Sequence, residues 1–245
     1  MSSKPAPPGS DSSPFRNRAE AGRRLAARLG GYRSKPVVIL ALPRGGVPVA
    51  AEVAAALGAP LDLVLVRKIG VPGREELAMG AVADGGEPVT VRNDDVIEMF
   101  RIDEATFAHA RSRQLREIER RRDLYLSGRP PIDLTGRTAI VVDDGVATGA
   151  TTRAALRTVR ARRPAALVLA TPVAPVEVLA ELRAECDEVI CLRPEPLLGA
   201  IGFYYLDFSQ VADSDVIDIV ASFGPADPGA RSSPDALNRR PPGTP

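Results

Sequence analysis

The chain has 245 residues, 44% hydrophobic and 26% charged, enough apolar content for one sizeable core with a small appendage. Thirty-two basic residues against 31 acidic ones leave a formal charge of +1, so no global field recruits nucleic acid or an anionic membrane, and any anion binding must be local. Cys186 and Cys191 do not make a zinc set, no signal-peptide core or bilayer-length apolar run is evident, and the pair reads as reduced thiols of a cytoplasmic protein.

Ten of the 23 prolines fall within residues 1–14 and 224–245, where Ser, Gly and Asp also gather. Such segments bury too little to offset their ordering entropy, so they read as disordered tails around one folded domain at 15–223. Residues 15–30 place Phe15, Ala19, Gly22, Leu25, Ala26 and Leu29 near one face and stop at Gly30-Gly31, predicting a helix. The run KPVVILALPRGG that follows suits a strand buried on both faces and closed by a turn. VPVAAEVAAALGA predicts a helix and PLDLVLVRKIG a second strand, making a right-handed β-α-β unit. Between 69 and 100 turn pairs alternate with short β-like pieces, which suits a flap or hairpin.

Residues 103–127 predict one long helix with Phe107, Leu115, Ile118 and Leu124 among its apolar positions. Its many arginines suit a solvated face paired with Glu117 and Glu119. His109, the single histidine, has no carboxylate or cysteine at ligand spacing and reads as incidental. Alternation then resumes with the strand RTAIVVDD, the helix ATTRAALRTVRARR, the strand AALVLATPV, the helix APVEVLAELRAE and the strand CDEVICL. Strands alternating with helices predict an α/β fold, a central parallel sheet with helices on both faces, whose ligands bind at the carboxyl ends of the strands. Three turns lie there: LPRGG, VRKIG and VDDGVATGATT.

The last of these lacks both the lysine of a P-loop and a G-x-G-x-x-G fingerprint. It offers a nest instead. Gly145, Ala147, Gly149 and Ala150 let backbone N–H groups approach an anion, Thr148, Thr151 and Thr152 add hydroxyls, and a helix N-terminus follows, a setting for one phosphate monoester. Asp143 and Asp144 would repel that phosphate, so they serve another part of the ligand, and carboxylates accept hydrogen bonds from vicinal hydroxyls such as those of a ribose. In the alternative, the acids only cap the next helix or bind Mg2+, which leaves the threonine-rich nest unused.

The combination Ile140-Val141-Val142-Asp143-Asp144-Gly145-Val146-Ala147-Thr148-Gly149-Ala150-Thr151 resembles the signature of the type I phosphoribosyltransferase family. The resemblance implies that Asp143 and Asp144 hold the ribose of 5-phosphoribosyl 1-diphosphate (PRPP), and also Mg2+ through the ribose hydroxyls or water. It implies that residues 147–152 hold the 5-phosphate. Leu42-Pro43-Arg44-Gly45-Gly46 then resembles the family's diphosphate loop, in which the peptide before the basic residue, here Pro43-Arg44, is often cis. Arg67 and Lys68 resemble the basic pair before the family's flexible loop, which would span 69 to about 86 and close over the leaving group. By this resemblance Arg44, Arg67 and Lys68 are the catalytic basic groups, and Gly45 and Gly46 join the PRPP site.

The aromatic-rich segment EPLLGAIGFYYLDFSQV, within a hood at about 193–211, is similar to the acceptor-binding hood of purine-salvage members, with Phe203, Tyr204 and Asp207 as acceptor contacts. Packing of a terminal strand is the competing account of those aromatics. Ala147 stands where 6-oxopurine enzymes usually carry Asp, which argues against a hypoxanthine-guanine enzyme and leaves the acceptor open. The segment RKIGVPGREELAMGAVADGG resembles bacterial phosphoribosyltransferases of unassigned acceptor. Transfer to a nitrogenous base, a PRPP-sensing or regulatory module, and a PRPP or nucleotide hydrolase all share this donor site. A homodimer is the family's habit.

Overall fold

The five continuous apolar runs become one parallel sheet, because strands covered on both faces need apolar side chains at every position. The computed structural model describes residues 13–84 and 88–224, so the expected tails fall almost wholly outside the described residues. Strands β1 (Val37–Ala41), β2 (Leu61–Leu63), β6 (Thr138–Val142), β7 (Ala166–Pro175) and β8 (Glu188–Glu195) pair in the order β2-β1-β6-β7-β8, all parallel. Every residue of β1 and of β6 is buried.

Alternate residues of each strand feed two cores. Val37, Ile39 and Ala41 of β1, with Ile140 and Val142 of β6, face α1 (Arg18–Arg28), α2 (Gly46–Leu57), α4 (Glu104–Leu126) and α7 (Asp213–Ser222). Val38, Leu40, Ala139 and Val141 face α5 (Ala150–Ala161) and α6 (Val176–Leu182). Helices therefore cover both faces, as alternation predicted. No helix among the described residues is long and apolar enough to cross a membrane.

Three expectations need correction. PLDLVLVRKIG is not one strand: β2 ends at Leu63, and the chain enters β3 (Val66–Val71) of a different sheet. There β3, β4 (Arg74–Ala83) and β5 (Val89–Arg92) form an antiparallel sheet followed by α3 (Asp94–Met99). Arg67 and Lys68 thus lie inside the first flap strand rather than at the end of the sheet's second strand. The segment expected as a loop from residue 69 is folded through Ala83, with Ile69, Met79 and Val82 wholly buried, because the flap packs an apolar face on α4 and the core. On α4, Leu124 is 37% exposed, and the buried face runs instead through Phe107, Gln114, Ile118, Tyr125 and Leu126.

One element had no counterpart in the expectations. The residues beyond the hood form α7, whose Val216 and Val220 enter the core one turn apart.

Candidate active site

The sheet order reverses direction between β1 and β6, since β1 is followed outward by β2 on one side and β6 by β7 on the other. In open α/β sheets the crevice at such a reversal, beyond the carboxyl ends of the strands, is where ligands bind. The two turns that leave those strands are Leu42-Pro43-Arg44-Gly45-Gly46 and Asp143-Asp144-Gly145.

They touch. A Cβ on Gly45 would stand 2.0 Å from Asp144 Oδ2, so only glycine lets the first turn approach the acid. The Pro43–Arg44 peptide is cis. Arg44, at the rim, places its Nη1 3.6 Å from Asp213 Oδ1 at the start of α7.

Asp144 is 8% exposed. Its Oδ2 accepts from Arg18 Nε at 2.7 Å, its carbonyl accepts from the Tyr205 hydroxyl at 2.6 Å, and its own N–H donates to Asp143 Oδ1 at 2.9 Å. Burial, and next the neighbouring Asp144 carboxylate, push Asp143 well above the ordinary carboxylate range. Asp144 is also raised by burial, with the Arg18 guanidinium holding it back. Two desolvated acids side by side favour a ligand that brings hydroxyl donors.

The loop after the acids runs onto α5. Gly149 caps that helix at φ 75°, in the left-handed region, and a Cβ there would stand 2.7 Å from Val178 Cγ1. As a glycine, Gly149 offers no side-chain cap to the first turn of α5, which follows directly on the loop. Ala147 and Thr148 are exposed, Ala150 and Thr151 partly exposed, and Thr152 buried.

Arg67 and Lys68 sit on the flap. Arg67 is partly buried and its Nε donates to Gln114 Oε1 of α4 at 3.2 Å, while Lys68 is exposed. Burial lowers the Arg67 pKa from its ordinary value.

The hood segment sets aside the competing account. It contains a short 3-10 turn at Ile201–Tyr204 rather than a terminal strand. Phe203 is 78% exposed, Tyr204 lies under Arg193, and Asp207 accepts from its neighbour Ser209 N at 3.0 Å. Tyr205 reaches the acids instead, stacked on Phe208 at 5.0 Å between ring centroids. The Arg18 guanidinium also lies over the Phe208 ring, 3.9 Å from its centre. Arg18 thus joins three parts of the fold, since its Nη1 also donates to Ser209 O at 2.8 Å.

Arg18 and Tyr205 escaped the sequence reading. Their partner lies far away in the chain, and no local spacing signals either contact. Tyr205 was visible only as one of a cluster of aromatics.

The phosphoribosyl transferase domain model matches residues 15–206, which include every one of these turns. The chain belongs to the phosphoribosyl transferase family. Two curated relatives from strains of Mycobacterium tuberculosis, each named "Putative phosphoribosyl transferase", are 47% identical over 203 residues, 83% of this chain and 45% of theirs. The chain therefore spans about half the length of the curated relatives it matches. The crystal structure of TT1426 from Thermus thermophilus is 42% identical and superimposes with a TM-score of 0.74, covering 86% of this chain and 99% of that one.

Proposed function

We propose that this phosphoribosyl transferase domain binds PRPP and transfers its 5-phosphoribosyl group to a nitrogenous base or related nucleophile, releasing diphosphate. One observation carries the reading: the Pro43-Arg44-Gly45 turn and the acid pair meet at the crevice between β1 and β6, with Gly45 against the Asp144 carboxylate. A basic turn and a carboxylate pair in contact suit one ligand that carries an anion beside vicinal hydroxyls. The uncapped first turn of α5 suits a second anion, the 5-phosphate.

In this reading Asp143 and Asp144 accept from the 2- and 3-hydroxyls, which replace the water the buried carboxylates have lost. Arg44 opposes charge on the departing diphosphate with its planar fork, and Arg67 and Lys68 approach from the flap. The nucleophile's nitrogen bonds to the anomeric carbon as the bond from that carbon to the diphosphate oxygen breaks, and the diphosphate keeps the electron pair. No protein nucleophile takes part. Two adjacent carboxylates are a donor set that suits Mg2+ carried in on phosphate oxygens and water, rather than an all-protein cage. When bound, the ion supplies charge neutralisation at the diphosphate, and Asp143 and Asp144 are the carboxylates that would hold it through hydroxyls or water.

The test is incubation with PRPP, Mg2+ and a panel of bases while diphosphate release is followed. Release that requires one acceptor supports transfer. Ribose 5-phosphate formed without an acceptor makes the domain a hydrolase, and tight binding without turnover makes it a sensor. Asp144→Asn should weaken PRPP binding by about 1–3 kcal/mol, and unchanged affinity would remove the ribose assignment.

A further inference from the structure

The long helix α4 has a use that its arginine-rich composition hides. Its buried face carries Phe107, Gln114, Ile118, Tyr125 and Leu126, of which Gln114 and Tyr125 are polar. Gln114, Ile118 and Tyr125 recur at helical spacing, so they lie along one stripe that meets the flap at one end and α7 at the other. Burying an amide and a phenol is costly unless each finds a partner.

Each finds one that leads to a proposed diphosphate arginine. Gln114 is 8% exposed and its Oε1 accepts from Arg67 Nε. That bond uses Nε and not the terminal nitrogens, the pair that grips an oxyanion in bidentate fashion. Tyr125 is 3% exposed and its hydroxyl donates to Asp213 Oδ1 at 2.5 Å. The same oxygen lies 3.6 Å from Arg44 Nη1. Burial, and then the Asp213 carboxylate, push the Tyr125 phenol up to about 12, so it remains a donor through the neutral range.

We propose that Gln114 and Tyr125 of α4, the latter through Asp213 of α7, are positioning residues that aim Arg67 and Arg44 at the diphosphate of the donor. The proposal rests on the assignment of those two arginines to the diphosphate. Leu at 114 and Phe at 125 would fill similar space, so those substitutions remove the polar contacts while keeping most of the packing.

The test separates aim from fold by comparing ligands that share the ribose phosphate but differ in the diphosphate. PRPP, inorganic diphosphate and ribose 5-phosphate are titrated calorimetrically, with Mg2+ present, into the full chain and into Gln114→Leu, Tyr125→Phe and Gln114→Glu. In Gln114→Leu and Tyr125→Phe, affinity for PRPP and diphosphate should fall about tenfold while that for ribose 5-phosphate stays unchanged. Gln114→Glu, which keeps an acceptor for Arg67, should retain wild-type affinity. Equal loss for all three ligands, or unchanged PRPP affinity in both variants, overturns the positioning role. Failure of the unsubstituted chain to bind PRPP overturns the donor-site reading itself.

Discussion

Replacing Arg18 with methionine tests the contact on which the acid pair depends. Methionine keeps an unbranched stem of similar length and removes the guanidinium, and with it the stacking on Phe208, so most of the side-chain volume is conserved while the charge is lost. Arg18 and Asp144 keep 11% and 12% of their side chains exposed, which makes theirs a largely buried pair. Removing one partner of a fully buried pair costs about 3–5 kcal/mol, because the other charge is stranded. Two effects oppose each other here. The bond from Arg18 to Ser209 O is also lost, yet stranded Asp144 escapes part of the penalty by taking up a proton. We expect a net loss of about 2–4 kcal/mol at neutral pH.

The pH dependence gives the sharper check. Without Arg18, the folded-state pKa of Asp144, already raised by burial, rises further above its unfolded value. The folded variant then binds more protons than the unfolded chain within that window, so its stability relative to wild type recovers as pH falls through the raised pKa. Urea unfolding followed by circular dichroism, at about pH 8 and about pH 5, measures both terms provided the m-value is unchanged. In an Asp144→Asn background the same substitution should cost only about 1–2 kcal/mol, the share left to the Ser209 bond and the stacking on Phe208. A loss that is independent of pH and equal in both backgrounds would refute the reasoning.

Other consequences are equally direct. Gly45→Ala places a Cβ 2.0 Å from an Asp144 oxygen that Arg18 already pins; it should cost about 1–3 kcal/mol by overpacking and abolish PRPP binding, both measurable on one preparation by urea titration and calorimetry. Asp143 has a folded-state pKa raised by burial and by Asp144, so its carboxylate opposes folding above that pKa and the opposition fades as pH falls through it. Asp143→Asn should therefore raise the melting temperature at neutral pH, flatten the acid limb and weaken PRPP binding; a lower melting temperature would contradict the pKa direction. Burial raises both thiols, Cys191 to about 11, so a thiol reagent at neutral pH should label neither Cys186 nor Cys191 in the native chain and both after unfolding.

The sheet and the two turns that leave β1 and β6 were legible because each rests on a local pattern. VVILA and AIVV are continuous apolar runs, and the acids and glycines stand beside them in sequence. The division of PLDLVLVRKIG between two sheets was not legible. No Gly, Pro or Asn interrupts Leu63-Val64-Leu65-Val66, and the crossing is fixed by Asp84, whose N–H and carboxylate both bond Leu65 at 3.0 Å. Such a partner is invisible to any window around Leu65. The same holds at the site: Asp144 could be found from its strand, but Arg18 belongs to the first helix and meets it only after folding. Helix α7 could have been found from the spacing of Val216, Ile217 and Val220 behind Asp213 and Asp215.

Asp62 gives the flap a place in the chain's architecture. It is 5% exposed, and while one carboxylate oxygen accepts from Leu63 N at 2.8 Å, the other accepts from Ile132 N at 2.9 Å. Leu63 is the last residue of β2, and Ile132 lies just before β6, so a single side chain stitches together the point where the chain departs from the central sheet and the point where it comes back. The segment from β3 to α4 leaves the central sheet on one side of that stitch and rejoins it on the other, like a cassette with adjoining ends. Its length can change without lengthening the path between β2 and β6, so long as its buried side chains, Ile69, Met79, Phe107 and Ile118 among them, keep their places in the core that the sheet shares with α4.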